Sequence, residues 1–130
     1  MKISQKQIEI IVRIIFRRED KILFCKSKEK GHYFLPGGHV EFGDTLEDTV
    51  YKEMNEELGL KREDISEVNF IRLFENTYGD EENKFQEINF IFEAKIKDLI
   101  EVVSQEEHIV FEWIKEDSLA KINLLPKGIL

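Results

Sequence analysis

Between residues 45 and 58 the chain carries a helical period: Leu46, Val50, Met54 and Leu58 recur every fourth position and line one side of an α-helix. Gly59 follows as a stop signal. Asp44 is a good N-cap, with Glu47 three residues on completing a capping-box arrangement in which Asp replaces the usual Ser or Thr. The segments on either side read as strands. Ile8 to Phe16 is a nearly continuous β-branched run, and Arg17-Arg18-Glu19-Asp20 separates it from a second run, Lys21 to Lys26. After the helix come Val68 to Phe74, Ile88 to Ile96 and Ile109 to Ile114, the first two separated by the turn-like Tyr78-Gly79-Asp80. Strands before and after a central helix predict an α/β (α+β) fold with helices packed on a mixed sheet. Asp117 to Ile122 is expected to form a short final helix. A length of 130 residues with 42% hydrophobic side chains suits one domain spanning 1–130 with a normal core.

Charge narrows the function. Nineteen basic against 27 acidic residues leave a net charge of -8, the wrong sign for holding a nucleic-acid duplex or an anionic membrane. If the substrate is an anion, a divalent metal is the obvious screen for the repulsion. Cys25 is the only cysteine, so no intramolecular disulfide forms, and its place in the apolar run Ile22 to Cys25 predicts a buried, inert thiol. A reducing, cytoplasmic setting fits. Lys2, Gln5, Lys6 and Glu9 interrupt any signal-like apolar stretch, and no segment approaches the ~18 apolar residues of a membrane span.

The chemistry-bearing residues gather around the helix. Glu53, Glu56 and Glu57 fall within an arc of about 100° on it, so three like charges share one patch. Such a patch is either a solvated acidic face or the binding site of a divalent cation. Just before it, Tyr33-Phe34-Leu35 leads into Pro36-Gly37-Gly38, the strongest loop signal in the chain. Its carbonyls could reach a metal and its amides a phosphate, and hard oxygen ligands point to Mg²⁺ or Mn²⁺. Gly38 to Thr45 has the spacing of a Walker loop, but Asp44 stands in place of the lysine and reverses the decisive charge, which excludes that motif.

The segment Gly38 to Leu60, GHVEFGDTLEDTVYKEMNEELGL, resembles the Nudix box, G-x5-E-x7-R-E-U-x-E-E-x-G-U with U a bulky aliphatic residue. Seven of its nine fixed positions agree: Gly38, Glu53, Met54, Glu56, Glu57, Gly59 and Leu60. Asp44 stands where the family has Glu, and Lys52 where it has Arg. Arg is a planar fork and Lys a mobile point charge, so positioning of a catalytic carboxylate by Lys52 is questionable. Lys52 could instead stabilise the helix through i,i+4 pairs with Asp48 and Glu56. The resemblance implies an α/β/α sandwich with a central catalytic loop-helix-loop. The implied activity is metal-dependent hydrolysis of a nucleoside diphosphate linked to another group: a nucleoside triphosphate, ADP-ribose or a sugar nucleotide. It assigns Glu53 mainly as general base and metal ligand, Glu56 and Glu57 as ligands with Gly37, and Mg²⁺ (or Mn²⁺) as cofactor. The short stretch after Leu124-Leu125-Pro126 suggests that the family's terminal helix is short or missing.

Outside the box the expectations are looser. Gly38 and His39 could touch phosphate, as could Arg13 and Arg17, and Tyr33 or Phe34 could stack on a base. Glu106 and Glu107 are candidates for a base recruited from a later loop, with a polar strand opening as the plainer reading. Trp113 reads as core, and Phe70, Phe74, Phe90 and Phe92 as sheet packing. The partner is then a small nucleotide, and the chain is a monomer or homodimer. The competing function is a catalytically weak module of the same fold that binds nucleotide or metal as a sensor.

Overall fold

The computed structural model describes residues 7–97, 102, 104, 105 and 107–130. Strands β1 (Ile8–Arg18) and β2 (Lys21–Ser27) open the chain, followed by the short β3 (Tyr33–Phe34) and β4 (Gly37–His39), helix α1 (Leu46–Leu58), a 3-10 turn Arg62–Asp64, and β5 (Ile65–Gly79), β6 (Lys84–Ile96) and β7 (Ile109–Lys115). A 3-10 helix, Glu116–Lys121, forms where the final helix was expected.

All seven strands join one sheet with the path β3-β2-β1-β6-β5, β4 pairing β1 and β7 pairing β2. The β1–β6 pair is parallel and the others are antiparallel, so the sheet is mixed as expected. Its central strand β1 buries apolar side chains on both faces and has a core on each. On one face Val12, Ile14, Phe16, Leu23, Phe92 and Ala94 meet Val50, Met54 and Leu58, the stripe of α1. On the other, Ile15, Ile22, Phe24, Leu35 and Ile91 are covered by Leu119, Ile122, Leu124 and the buried Ile129. A 3-10 helix and an extended tail thus form the third layer. Arg72 donates to the Ile129 carbonyl and Arg17 bonds Glu93 and Glu116, tying that layer to the sheet. No helix among the described residues is long and apolar enough to cross a membrane.

Two local expectations need correction. The N-cap is Thr45 rather than Asp44: Thr45 Oγ1 accepts from the Asp48 amide at 3.0 Å, and Asp48 Oδ2 accepts from the Thr45 amide at 3.3 Å. The Asp44 amide is already bound to the Glu41 carbonyl in the preceding turn, which leaves the cap to the next residue with an acid three positions on. The hairpin between β5 and β6 turns at Asp80–Asn83, not at Tyr78-Gly79-Asp80, because Asp80 Oδ1 accepts from the Glu82 and Asn83 amides. Phe70, though 53% exposed at the sheet edge, packs against the rings of Phe90 and Phe92 as expected, and the half-buried Trp113 packs against the core beneath the Arg18 guanidinium. Cys25 is buried, as its setting predicted.

Candidate active site

The Pro36-Gly37-Gly38 segment is not the loop that its composition announces but the start of β4. Gly37 pairs with Arg13, Gly38 with Val12 and His39 with Ile11, and flanking bonds from Ile14 to Pro36 and from Val40 to Ile10 extend the ladder. The glycines are required by contact. A Cβ at Gly37 would lie 2.0 Å from the Val12 carbonyl oxygen, and one at Gly38 would lie 2.3 Å from Glu53 Oε1. The Glu53 carboxylate therefore rests directly on the Gly38 backbone. One turn further along α1, Glu57 Oε1 accepts from the Gly37 amide at 3.0 Å. Alternation along an antiparallel ladder turns Gly37 away from β1 and toward the helix, which makes that bond possible. Two box carboxylates are thus clasped to two successive glycines, while Glu56 stays exposed.

Lys52 does not form its expected i,i+4 pairs. Its Nζ lies 3.2 Å from Glu41 Oε1 in the β4–α1 connection, and Asp48 is engaged at the cap. Hydrogen bonding to Glu41 and the Glu41 charge, followed by Glu56 and Asp44, push the Lys52 ammonium above its ordinary range. It is a permanent cation at neutral pH and not a base.

On the sheet face opposite α1 lies a cleft of about 720 Å³, lined by Arg13, Phe34, Asn76, Tyr78, Glu87 and the tail segment Leu125-Pro126-Lys127 among others. Arg13, paired with Gly37 across the ladder, links it to the helix carboxylates. Its guanidinium donates to Asn89 Oδ1 at 3.3 Å and to the Leu35 carbonyl at 3.2 Å. Burial pulls its pKa down, opposed by the charges of Glu87 and Glu57, and the group remains a fixed cation between cleft and clasp. Tyr78 is pushed up by burial and by the carboxylates of Glu87 and Glu9, so its phenol keeps its proton.

The profile of the NUDIX domain matches residues 7–129. The chain belongs to the Nudix family. Over 49 residues it is 47% identical to the ADP-ribose pyrophosphatase of Methanocaldococcus jannaschii, a match covering 35% of this chain and 29% of that protein. Over 53 residues it is 36% identical to the RNA pyrophosphohydrolase of Aeromonas hydrophila, covering 41% and 30%. These matches span about a third of the length of either curated relative. Among solved structures it superposes on a MutT protein from Bacillus halodurans with a TM-score of 0.74 at 24% identity, covering 90% of this chain and 74% of that one, which supports the fold.

The Nudix box therefore sits where loop, helix and loop were expected, with its first glycine moved into a strand. Other candidates scatter. His39 is exposed on β4 with Nε2 3.4 Å from Glu9, facing neither clasp nor cleft. Tyr33 does not line the cleft: its hydroxyl donates to Glu112 and its ring meets Phe24 edge-on, whereas its neighbour Phe34 does line it. Arg17 is bonded to Glu93 and Glu116 and is occupied as a structural tie. Glu107 is exposed in the turn before β7, and Glu106 lies outside the described residues. Glu87, Asn89, Asn76 and Tyr78, for which the sequence suggests no site role, line this cleft or bond to its lining residues. The available signal was Glu87 and Asn89 at alternate positions of β6, on the same face as the buried Ile91.

The donor chemistry of the clasp suits a hard divalent ion, since Glu53, Glu56, Glu57 and the Gly37 carbonyl offer only oxygen. Among the described residues no three His, Cys, Asp or Glu side chains already converge to hold one. Glu57 is committed to the Gly37 amide, so an ion must draw it or Glu56 inward.

Proposed function

We propose that this Nudix protein is a pyrophosphohydrolase that cleaves the diphosphate linkage of a nucleoside diphosphate carrying a further group, assisted by Mg²⁺ or Mn²⁺. The observation that carries the reading is the clasp. Like-charged carboxylates at i,i+3 and i,i+4 repel, and a helix that only needed solubility would let them splay into water. Instead Glu53 and Glu57 are held against a backbone that could bear no larger residue. The name of the Methanocaldococcus jannaschii relative, an ADP-ribose pyrophosphatase, fits the same linkage.

Glu53 is the residue assigned to the proton. Its carboxylate is fixed on Gly38, is half-buried and can accept the proton of a water aligned on phosphorus. Glu56 and Glu57, with the Gly37 carbonyl, are the groups that would hold the ion. When bound, that ion would neutralise charge on the diphosphate oxygens and lower the pKa of water. Arg13 supplies a cation fixed in place beside the clasp, which a chain of net charge -8 needs in order to admit a polyanion. Lys52 holds Glu41 and so braces the β4–α1 connection, a positioning role distinct from proton transfer.

Release of phosphate or nucleotide should be measured for nucleoside triphosphates, ADP-ribose, sugar nucleotides and dinucleoside polyphosphates, with Mg²⁺, Mn²⁺ or EDTA. Turnover that EDTA and Glu53→Gln both abolish is the expected result. Turnover that survives Glu53→Gln would overturn the assignment of the base, and a folded protein inert on every substrate would overturn the hydrolase reading.

A further inference from the structure

The cleft contains a carboxylate that the proposed hydrolysis does not use. Glu87 is only 6% exposed, yet it lines the cavity. Its Oε1 accepts from Asn76 Nδ2 at 3.1 Å and from Asn89 Nδ2 at 3.4 Å. No buried side-chain nitrogen or oxygen among the described residues lacks a partner, so Oε2, which takes no hydrogen bond, is the oxygen left to the cavity.

The orientation of this pair of oxygens is fixed by a relay. Arg13 can only donate, so the atom of Asn89 that meets its Nε at 3.3 Å is the carbonyl oxygen. Asn89 Nδ2 must then point the other way, where it reaches the Phe74 carbonyl at 3.3 Å and Glu87 Oε1. The amide protons thus meet one oxygen of Glu87 and leave the other bare. Because it is open to the cavity, Oε2 is hydrated by water until the donors of a ligand take that place.

We propose that Glu87 is the ring-reading residue of this site, selecting the 2-amino-4-oxopyrimidine edge shared by guanine and pterins. The inference rests on the cleft being the nucleotide site of the proposed function. A carboxylate only accepts, and it is best matched by two adjacent N–H donors. Guanine offers N1–H beside its 2-amino group, and a pterin offers N3–H beside its 2-amino group. Adenine and cytosine set one amino donor beside a ring-nitrogen acceptor, and uracil sets one N–H between two carbonyls, so each of these brings a lone pair against Glu87. Phe34 and Tyr78 on the cavity wall supply flat apolar surface for the ring.

The test is equilibrium binding in EDTA, by calorimetry, of guanosine, adenosine, cytidine and uridine 5′-monophosphates and of dihydroneopterin monophosphate. Guanosine, dihydroneopterin or both should bind at least tenfold more tightly than the other three, and the tighter of the two names the source of the edge. Glu87→Gln sharpens the test. Asn76 and Asn89 would hold the Gln oxygen in the Oε1 position and turn its amino group into the cavity, where it repels two donors and welcomes an acceptor. The variant should lose that preference and bind adenosine monophosphate relatively better. Equal affinities in the wild type, no binding at all, or an unchanged preference in Glu87→Gln would each overturn the proposal. Because the measurement needs no metal and no turnover, ring preference without hydrolysis would leave Glu87 standing and remove only the hydrolase reading.

Discussion

The clasp and the cleft lie on opposite faces of the same sheet and were assembled in opposite ways. Glu53, Glu56 and Glu57 come from one turn of α1, and the glycines that clasp Glu53 and Glu57 lie within 20 residues of them along the chain. The cleft draws Arg13 from β1, Phe34 from β3, Asn76 and Tyr78 from β5, Glu87 from β6 and Lys127 from the tail. The Arg13–Asn89 bond alone joins residues 76 positions apart. A site built from one local motif leaves a spacing that can be read. A site built from single residues of five segments leaves none, since each is unremarkable in its own neighbourhood.

Five measurements would break or sharpen this contrast. Glu53→Gln should cut kcat by about 100-fold or more with Tm unchanged, because the isosteric amide keeps its seat on Gly38 but no longer accepts the proton. Gly38→Ala should lower kcat by about tenfold or more while sparing ring recognition, since the new methyl displaces the Glu53 carboxylate and leaves the cleft untouched. If instead it abolished binding of monophosphates, the two regions would not be separable. Asn89→Ala attacks the other region. It strips the buried Arg13 Nε and the Glu87 Oε1 of a partner, which should destabilise the fold by ~1–3 kcal/mol and weaken nucleotide binding more than kcat.

The smallest effect should come from Lys52→Arg, which preserves or raises kcat, because a fork can hold Glu41 at least as well as a point charge. A clear loss of rate would mean that Lys52 and Asp44 are matched to each other. Folding raises the Lys52 pKa above its ordinary 10.5, so its contribution is fully present below that value and fades only at more alkaline pH. Thermal unfolding of Lys52→Met should therefore differ from the wild type by the same small amount from pH 6 to pH 9.

What was legible follows from sequence separation. The Leu46-Val50-Met54-Leu58 stripe is buried as its period demands, and the box glutamates share one patch because three- and four-residue spacing dictates it. Gly37 and Gly38 were marked as special, but not as strand. Glycine pairs signal loops, and only β1, some 25 residues away, offers them a ladder. The choice between Asp44 and Thr45 as cap was a choice between chemically equal neighbours, decided by which amide the preceding turn had already taken. Tyr33 and Phe34 could not be told apart beforehand. Tyr33 is taken up by the core around Phe24 and by Glu112, while Phe34 lines the cleft, and only the pairing of β3 with β2 and the tail decides which of the two neighbours is left open.

The chain by itself determined a helix with three carboxylates on one flank, strands before and after it, a buried thiol and a charge that repels polyanions. Each of these depends on residues a few positions apart, or on simple counting. The tertiary structure decided that two glycines become a strand clasping two of the carboxylates, that Arg13 stands between clasp and cleft, and that Glu87 shows one bare oxygen to the cavity. Those outcomes depend on the parallel register of β1 with β6 and on the antiparallel register of β5 with β6. A strand's own residues set which of them share a face, but the partner strand sets what they face, and that choice is made by burial summed over the whole sheet.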